Sequence, residues 1–148
     1  MAESSPYQGI LEDLLGSTDA SRTTLRLDLP DQGAGLDEVA AEALAPGVRS
    51  IRSDTAIRNL RDSATVRFLE ERRTPLVQED CSMADPVPPP ELIELYGVRA
   101  QMLAPLIRDD GLVGVISVHY VPGPRGCSAQ DHAALQEAVE RVQRELDI

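Results

Sequence analysis

The stretch AQMLAPLIRDDGLVGVISVHY, residues 100–120, fixes more about the fold than any other part of this chain. Two runs rich in strand-forming residues flank Asp110-Gly111, and an Asp-Gly pair between such runs is a strong signal for a two-residue hairpin turn. The chain is therefore organised around an antiparallel pair. Counting outward from that turn sets Leu106 opposite Val115, Ala104 opposite Ser117 and Met102 opposite His119, all on one face because side chains alternate along a strand. Leu103, Ile107, Ile116 and Val118 fall on the other face. That second face is purely aliphatic and is expected to lie under helices. The first combines small, polar and soft side chains, a composition suited to lining a cavity. A three-residue turn with Gly111 as a bulge would move the pairing by one residue.

Around this hairpin the chain reads as a single domain over residues 9–148 after a start, 1–8, without expected structure. Ile10, Leu11, Leu14 and Leu15 recur at helical spacing, with Gly16 as a stop. Residues 21–28 switch to period two and predict a strand closed by Pro30. DEVAAEALAPGV fits a short helix or a buried strand equally. Val66, Phe68 and Leu69 predict a helix ended by Thr74-Pro75, and a short strand follows over 76–79. Pro90 suits the first turn of a helix that Gly97 ends. Ser128 and Asp131 are spaced as a capping pair for a last helix whose Leu135, Val139, Val142 and Leu146 form one stripe.

Charge and composition exclude several partners. A formal charge of -11 repels nucleic-acid backbones and anionic lipid surfaces. No apolar run approaches a membrane span, and the first residues lack the order of a signal peptide, so a cytoplasmic location is expected. Cys81 and Cys127 form no disulfide framework and stand at no metal-site spacing, which predicts reduced thiols and no bound metal. All 14 basic residues are arginine, which with the many alanines suggests a G+C-rich bacterial genome.

The order of elements, the hairpin VRAQMLAPLIRDDGLVGVISVHY and the following PGPRGCSAQDHAALQEAVERV together resemble a GAF domain, a small-molecule-binding sensor module. The resemblance spans roughly residues 11–146 and is most specific over 97–146. It implies an α/β (α+β) fold with a six-stranded antiparallel sheet, terminal helices on one face and a ligand pocket on the other. It also implies dimerisation through the terminal helices, for which the stripes of the first and last helices offer apolar surface.

On this reading Ser117, His119, Met102 and Ala104 line the pocket, with Cys81 nearby in the loop CSMADPVPPP. His119 is open to a second reading as a core histidine bonded to backbone. His132 falls on the packed edge of the last helix. Arg49, Arg52, Arg58, Arg61, Arg67, Arg72 and Arg73 share a 25-residue window with four acids, giving +3 in an acidic chain. They read either as a solvated face or as a source of cations at the pocket mouth, with Arg49 and Arg52 as candidates because they precede the predicted helix. The implied function is a stand-alone sensor that binds a small organic anion without a cofactor and signals to a partner protein. The alternative is a small thiol- or histidine-dependent enzyme, of the sulfoxide-reductase type found in some relatives. No catalytic residue is assigned, because the cysteine clusters and Cys-His pair of the thiol-dependent and bilin-attaching relatives are absent, and the lysine of the cyclic-nucleotide signature is missing.

Overall fold

A computed structural model describes residues 5–109 and 111–148. Helix α1, Pro6–Thr18, begins inside the stretch expected to lack structure, because Ser5 caps it by accepting from the Tyr7 N–H. The rest of that expectation, residues 1–4, lies outside the described residues. Gly16 sits within α1, and the helix stops where Asp19 turns left-handed at φ 54. Strand β1, Arg22–Leu27, follows, and the ambiguous alanine-rich segment becomes strand β2, Ala41–Leu44. Helix propensity loses there because the backbone of β2 completes the edge of β1, from Arg22↔Leu44 to Leu25↔Ala41.

Helix α2, Ala64–Arg72, is capped by Ser63, strand β3 covers Leu76–Gln78, and α3, Pro90–Glu94, leads to Gly97 at φ 66. Strands β4, Ala100–Arg108, and β5, Gly111–Tyr120, form the hairpin. Helix α4, Ala129–Leu146, carries the reciprocal Ser128–Asp131 cap that the sequence announces. The sheet is antiparallel throughout, in the order β2-β1-β5-β4-β3, with five strands among the described residues rather than six.

The hairpin pairing corrects the expected faces. Arg108 pairs with Gly111, so Gly111 opens β5 and is not a turn residue; Asp109 is left-handed, and Asp110 lies outside the described residues. Moving the turn by one position changes the pairing sum by two and would preserve the faces. A bulge intervenes. Ile107 pairs with Leu112 but Leu106 with Gly114, so Val113 is an extra residue in β5 and everything beyond it is offset by one. Consequently Leu103 lies opposite Ser117 and Gln101 opposite His119. Met102 and Ala104 turn to the helix-covered face with Ile116 and Val118, whereas Leu103 and Ile107 belong to the other side. Gly114 is required beside the bulge: a Cβ there would come within 2.8 Å of both the Arg26 carbonyl oxygen and the Leu106 side chain.

Helices α1 and α4 pack on one face of the sheet. Ile10, Leu11 and Leu14 from α1, and Leu135, Ala138, Val139 and Val142 from α4, are buried in one cluster with Leu25, Met102, Ile116 and Val118. The apolar stripes of both helices are thus largely buried within the chain, with Leu15 and Leu146 half-buried at their edges. Arg141 and Asp13 join the helices by an ion pair at 2.8 Å.

Candidate functional site

The opposite face of the sheet is buried too, but it mixes apolar side chains such as Leu103 and Val115 with many polar ones. Its registers align Gln78, Gln101, His119 and Arg22 across β3, β4, β5 and β1, and next to them Ser117, Thr24 and Glu42 across β5, β1 and β2. A cavity of about 40 Å³ lies over this face, with Arg26, Gln101, Leu103, Val115, Ser117 and His119 on its floor. Ile57, Leu60, Thr65 and Val66 cover it from one side, and Pro89 and Leu92 from the other.

Hydrogen bonding fixes the polarity of the floor. Arg22 is 0% exposed, and its Nη1 lies 3.0 Å from His119 Nδ1 while Nη2 donates to the Arg49 carbonyl at 2.5 Å. A guanidinium can only donate, so Nδ1 accepts and the proton of neutral His119 sits on Nε2. Burial, then the charges of Arg22 and Arg26, hold the His119 pKa well below 6.5, so the ring is neutral at pH 7. Among the described residues nothing accepts from its Nε2–H. A second chain of bonds orients Gln101. The Pro86 carbonyl can only accept, so the Gln78 amide nitrogen donates to it at 2.6 Å; Gln78 Oε1 then faces Gln101 and accepts from Gln101 Nε2 at 2.7 Å. Gln101 Oε1 is left buried without a partner. Thr24 and Ser117 share a hydroxyl–hydroxyl bond beside it.

Arg26 supplies the charge. It is 6% exposed, lines the cavity, and donates from Nη1 to the Leu36 carbonyl at 3.0 Å. Burial lowers its pKa, and Asp37, Asp54 and Glu42 oppose that shift through space. Among the described residues no carboxylate forms an ion pair with it. Arg22 differs, since Glu42 Oε2 lies 3.9 Å from its Nε. Glu42 is itself held by Ser50 Oγ at 2.5 Å and the Ile51 N–H at 2.9 Å.

The arginines expected at the pocket are elsewhere. Arg49 is exposed, stacks 4.9 Å from the Tyr96 ring and donates to the Leu95 carbonyl at 3.2 Å. Arg52 is exposed and donates to the Ala40 carbonyl at 3.2 Å. Neither lines the cavity, and neither do Met102 and Ala104, which face the helices. Cys81 does not line the cavity but is buried in the apolar cluster that includes several of its lining residues, and burial and Asp80 push its thiol up to about 11. It is protonated at pH 7 and a poor nucleophile. Ser117 and His119 do lie on the cavity floor. The sequence reading passes over Arg22, Arg26 and Gln101, although the alternation in RTTLRL already places both arginines with Thr24 on one face. Among the described residues no group of His, Cys, Asp and Glu could hold a metal ion.

Two segments close the cavity, and they are tied together. Tyr96 donates its phenol O–H to Asp54, and its ring lies 5.5 Å from the Arg22 guanidinium and 4.9 Å from that of Arg49. Burial raises the Asp54 pKa, but the bonds from Tyr96, Ile57 and Ala56 outweigh it and leave the carboxyl below its ordinary range. Asp54 therefore remains an anion, fastening the 51–63 loop to the end of α3.

The profile of the GAF domain family matches residues 6–146. No curated protein matches the sequence. Among solved structures, the chain is similar to the GAF domain of the cyanobacteriochrome TePixJ, with TM-score 0.76 and 17% identity over 99% of this chain and 96% of that one. It is similar to the chromophore-binding domain of the bacteriophytochrome RpBphP3 from R. palustris, with TM-score 0.71 and 19% identity over 93% of this chain and 52% of that one. It also resembles the GAF domain of a phosphoenolpyruvate-protein phosphotransferase from Coxiella burnetii, with TM-score 0.66 and 15% identity over 95% and 82% of the two chains.

Proposed function

The chain belongs to the GAF domain family, and on that premise we propose that it is a sensor module whose cavity takes a small organic anion and whose occupancy is read by a partner protein. One observation carries the anion: Arg26 is a buried cation on the cavity floor without an ion-pair partner among the described residues. Keeping such a charge out of water costs several kcal/mol unless a counter-charge and hydrogen bonds compensate it. An anion beside Arg26 supplies both. His119 Nε2–H adds a neutral donor to the same floor.

Size favours a small ligand. The R. palustris neighbour is described as chromophore-binding, whereas about 40 Å³ is far below the roughly 300–1,000 Å³ of pockets that enclose drug-sized molecules. A thiol-dependent reaction has little support, since Cys81 is buried with its thiol pushed up to about 11. Titration with acetate and pyruvate, followed by calorimetry, tests the reading. Both should bind to the wild-type protein, and Arg26→Met should abolish the binding. Equal binding by the two proteins would show that Arg26 does not hold the anion.

A further inference from the structure

Two atoms of the floor carry more information than the anion reading uses. Gln101 is 1% exposed and its Oε1 has no partner, because the Pro86–Gln78–Gln101 chain of donors commits its amide nitrogen elsewhere. His119 stands directly across the hairpin from it, 2% exposed, with its Nε2–H unpartnered among the described residues. Directly opposed residues hold their Cβ atoms about 5 Å apart. Both line the same cavity as Arg26. The floor therefore presents one acceptor and one donor side by side, next to a cation.

A simple carboxylate satisfies only part of this pattern. A carboxylate could accept from His119 and from Arg26, but it would turn lone pairs toward Gln101 Oε1 and leave that buried oxygen unsatisfied. A cationic donor would satisfy Gln101 but be repelled by Arg26, and a neutral donor alone would leave Arg26 without a counter-charge. A group with an N–H beside a C=O satisfies both floor atoms at once. Resting on the anion reading above, we propose that the ligand is a small amido acid. Its carboxylate faces Arg26, its amide N–H donates to Gln101 Oε1, and its amide carbonyl accepts from His119 Nε2–H. The neutral state of His119 belongs to the design, because a ring protonated on both nitrogens could not accept from Arg22.

Oxamate and pyruvate make the test sharp, since they share a carboxylate and a neighbouring carbonyl and differ in an NH2 group against a methyl. Calorimetric titration of the wild-type protein should show oxamate binding at least about tenfold more tightly than pyruvate. In Gln101→Met that preference should fall to about twofold or less, while pyruvate still binds. Equal affinities in the wild-type protein, or tighter binding of pyruvate, would overturn the amide assignment and leave the anion reading standing. Binding of both that survives Arg26→Met would instead remove the anion reading. No heat from either compound at millimolar concentration would overturn both. If Gln101→Met does not fold, the wild-type ratio of oxamate to pyruvate decides alone.

Discussion

The same strands build both faces of the sheet, yet one face carries Ala100, Met102, Ala104, Ile116 and Val118, and the other carries Gln101, Ser117, His119, Arg22, Thr24 and Arg26. Both are buried. Burial on the first face removes apolar area from water and stabilises at about 25 cal/mol per Å². Burial on the second dehydrates charges and amides and is tolerated only where partners replace water. Arg22 is held by His119 and the Arg49 carbonyl although its Nε lacks a hydrogen-bond partner, and Gln101 Oε1 is unpartnered on the same face, where Arg26 is a cation without an ion pair among the described residues. Under α1 and α4 the burial is almost wholly apolar, whereas under the 51–63 loop a second apolar cluster surrounds the buried polar groups.

Substitutions on the two faces should therefore act with opposite sign. The largest effect is expected at Ile116, 0% exposed in the helix-covered core: Ile116→Ala should lower unfolding free energy by about 2–5 kcal/mol in urea titrations. A cost near that of an exposed alanine substitution would show that this face is not the stabilising one. On the polar face, Arg26→Met should raise stability by about 1–4 kcal/mol in the absence of any anion, since a flexible apolar side chain replaces a dehydrated cation. A marked loss of stability in that variant would mean that Arg26 serves the fold and not the cavity. The smallest effect concerns pH. His119 is neutral in the folded protein with its pKa held well below 6.5, so as pH falls below 6.5 the unfolded chain takes up a proton that the folded protein refuses. Stability should then decline from about pH 6.5 toward pH 5, before most carboxylates titrate. Melting curves of His119→Gln should be flatter over this interval, and an unchanged slope would place the acid sensitivity elsewhere.

Much of this arrangement is legible in the sequence, and the exceptions have physical causes. Caps and turns are local chemistry, so Ser128 with Asp131, Pro90 and Gly97 mark their helices without reference to anything distant. The register of β4 against β5 depends on one extra residue, Val113, that no alternation rule announces, and it exchanged Met102 and Ala104 for Gln101 and Leu103 beside Ser117 and His119. The arginines show a different limit. Arg22 and Arg26 alternate with Thr23, Leu25 and Leu27, and a charged alternate face ordinarily looks to water. Only the position of β1 between β2 and β5, beneath the loop and α3, makes that face an interior. Counting charges instead drew attention to residues 49–73, where Arg49 and Arg52 are exposed and bond to backbone carbonyls. The pairing of Gln78 with Gln101 likewise needs the β3–β4 register before either residue stands out.

The tie between Tyr96 and Asp54 sets a clock. A ligand that reaches the covered floor by displacing the 51–63 loop from α3 must break the charge-assisted hydrogen bond between Tyr96 and Asp54. Loop openings of this kind run on microsecond to millisecond scales. Association should therefore cease to accelerate at high ligand concentration, with a ceiling equal to the opening rate, and bound molecules should leave no faster than the tie releases. The protein would then average over brief fluctuations in its surroundings and respond to sustained ones.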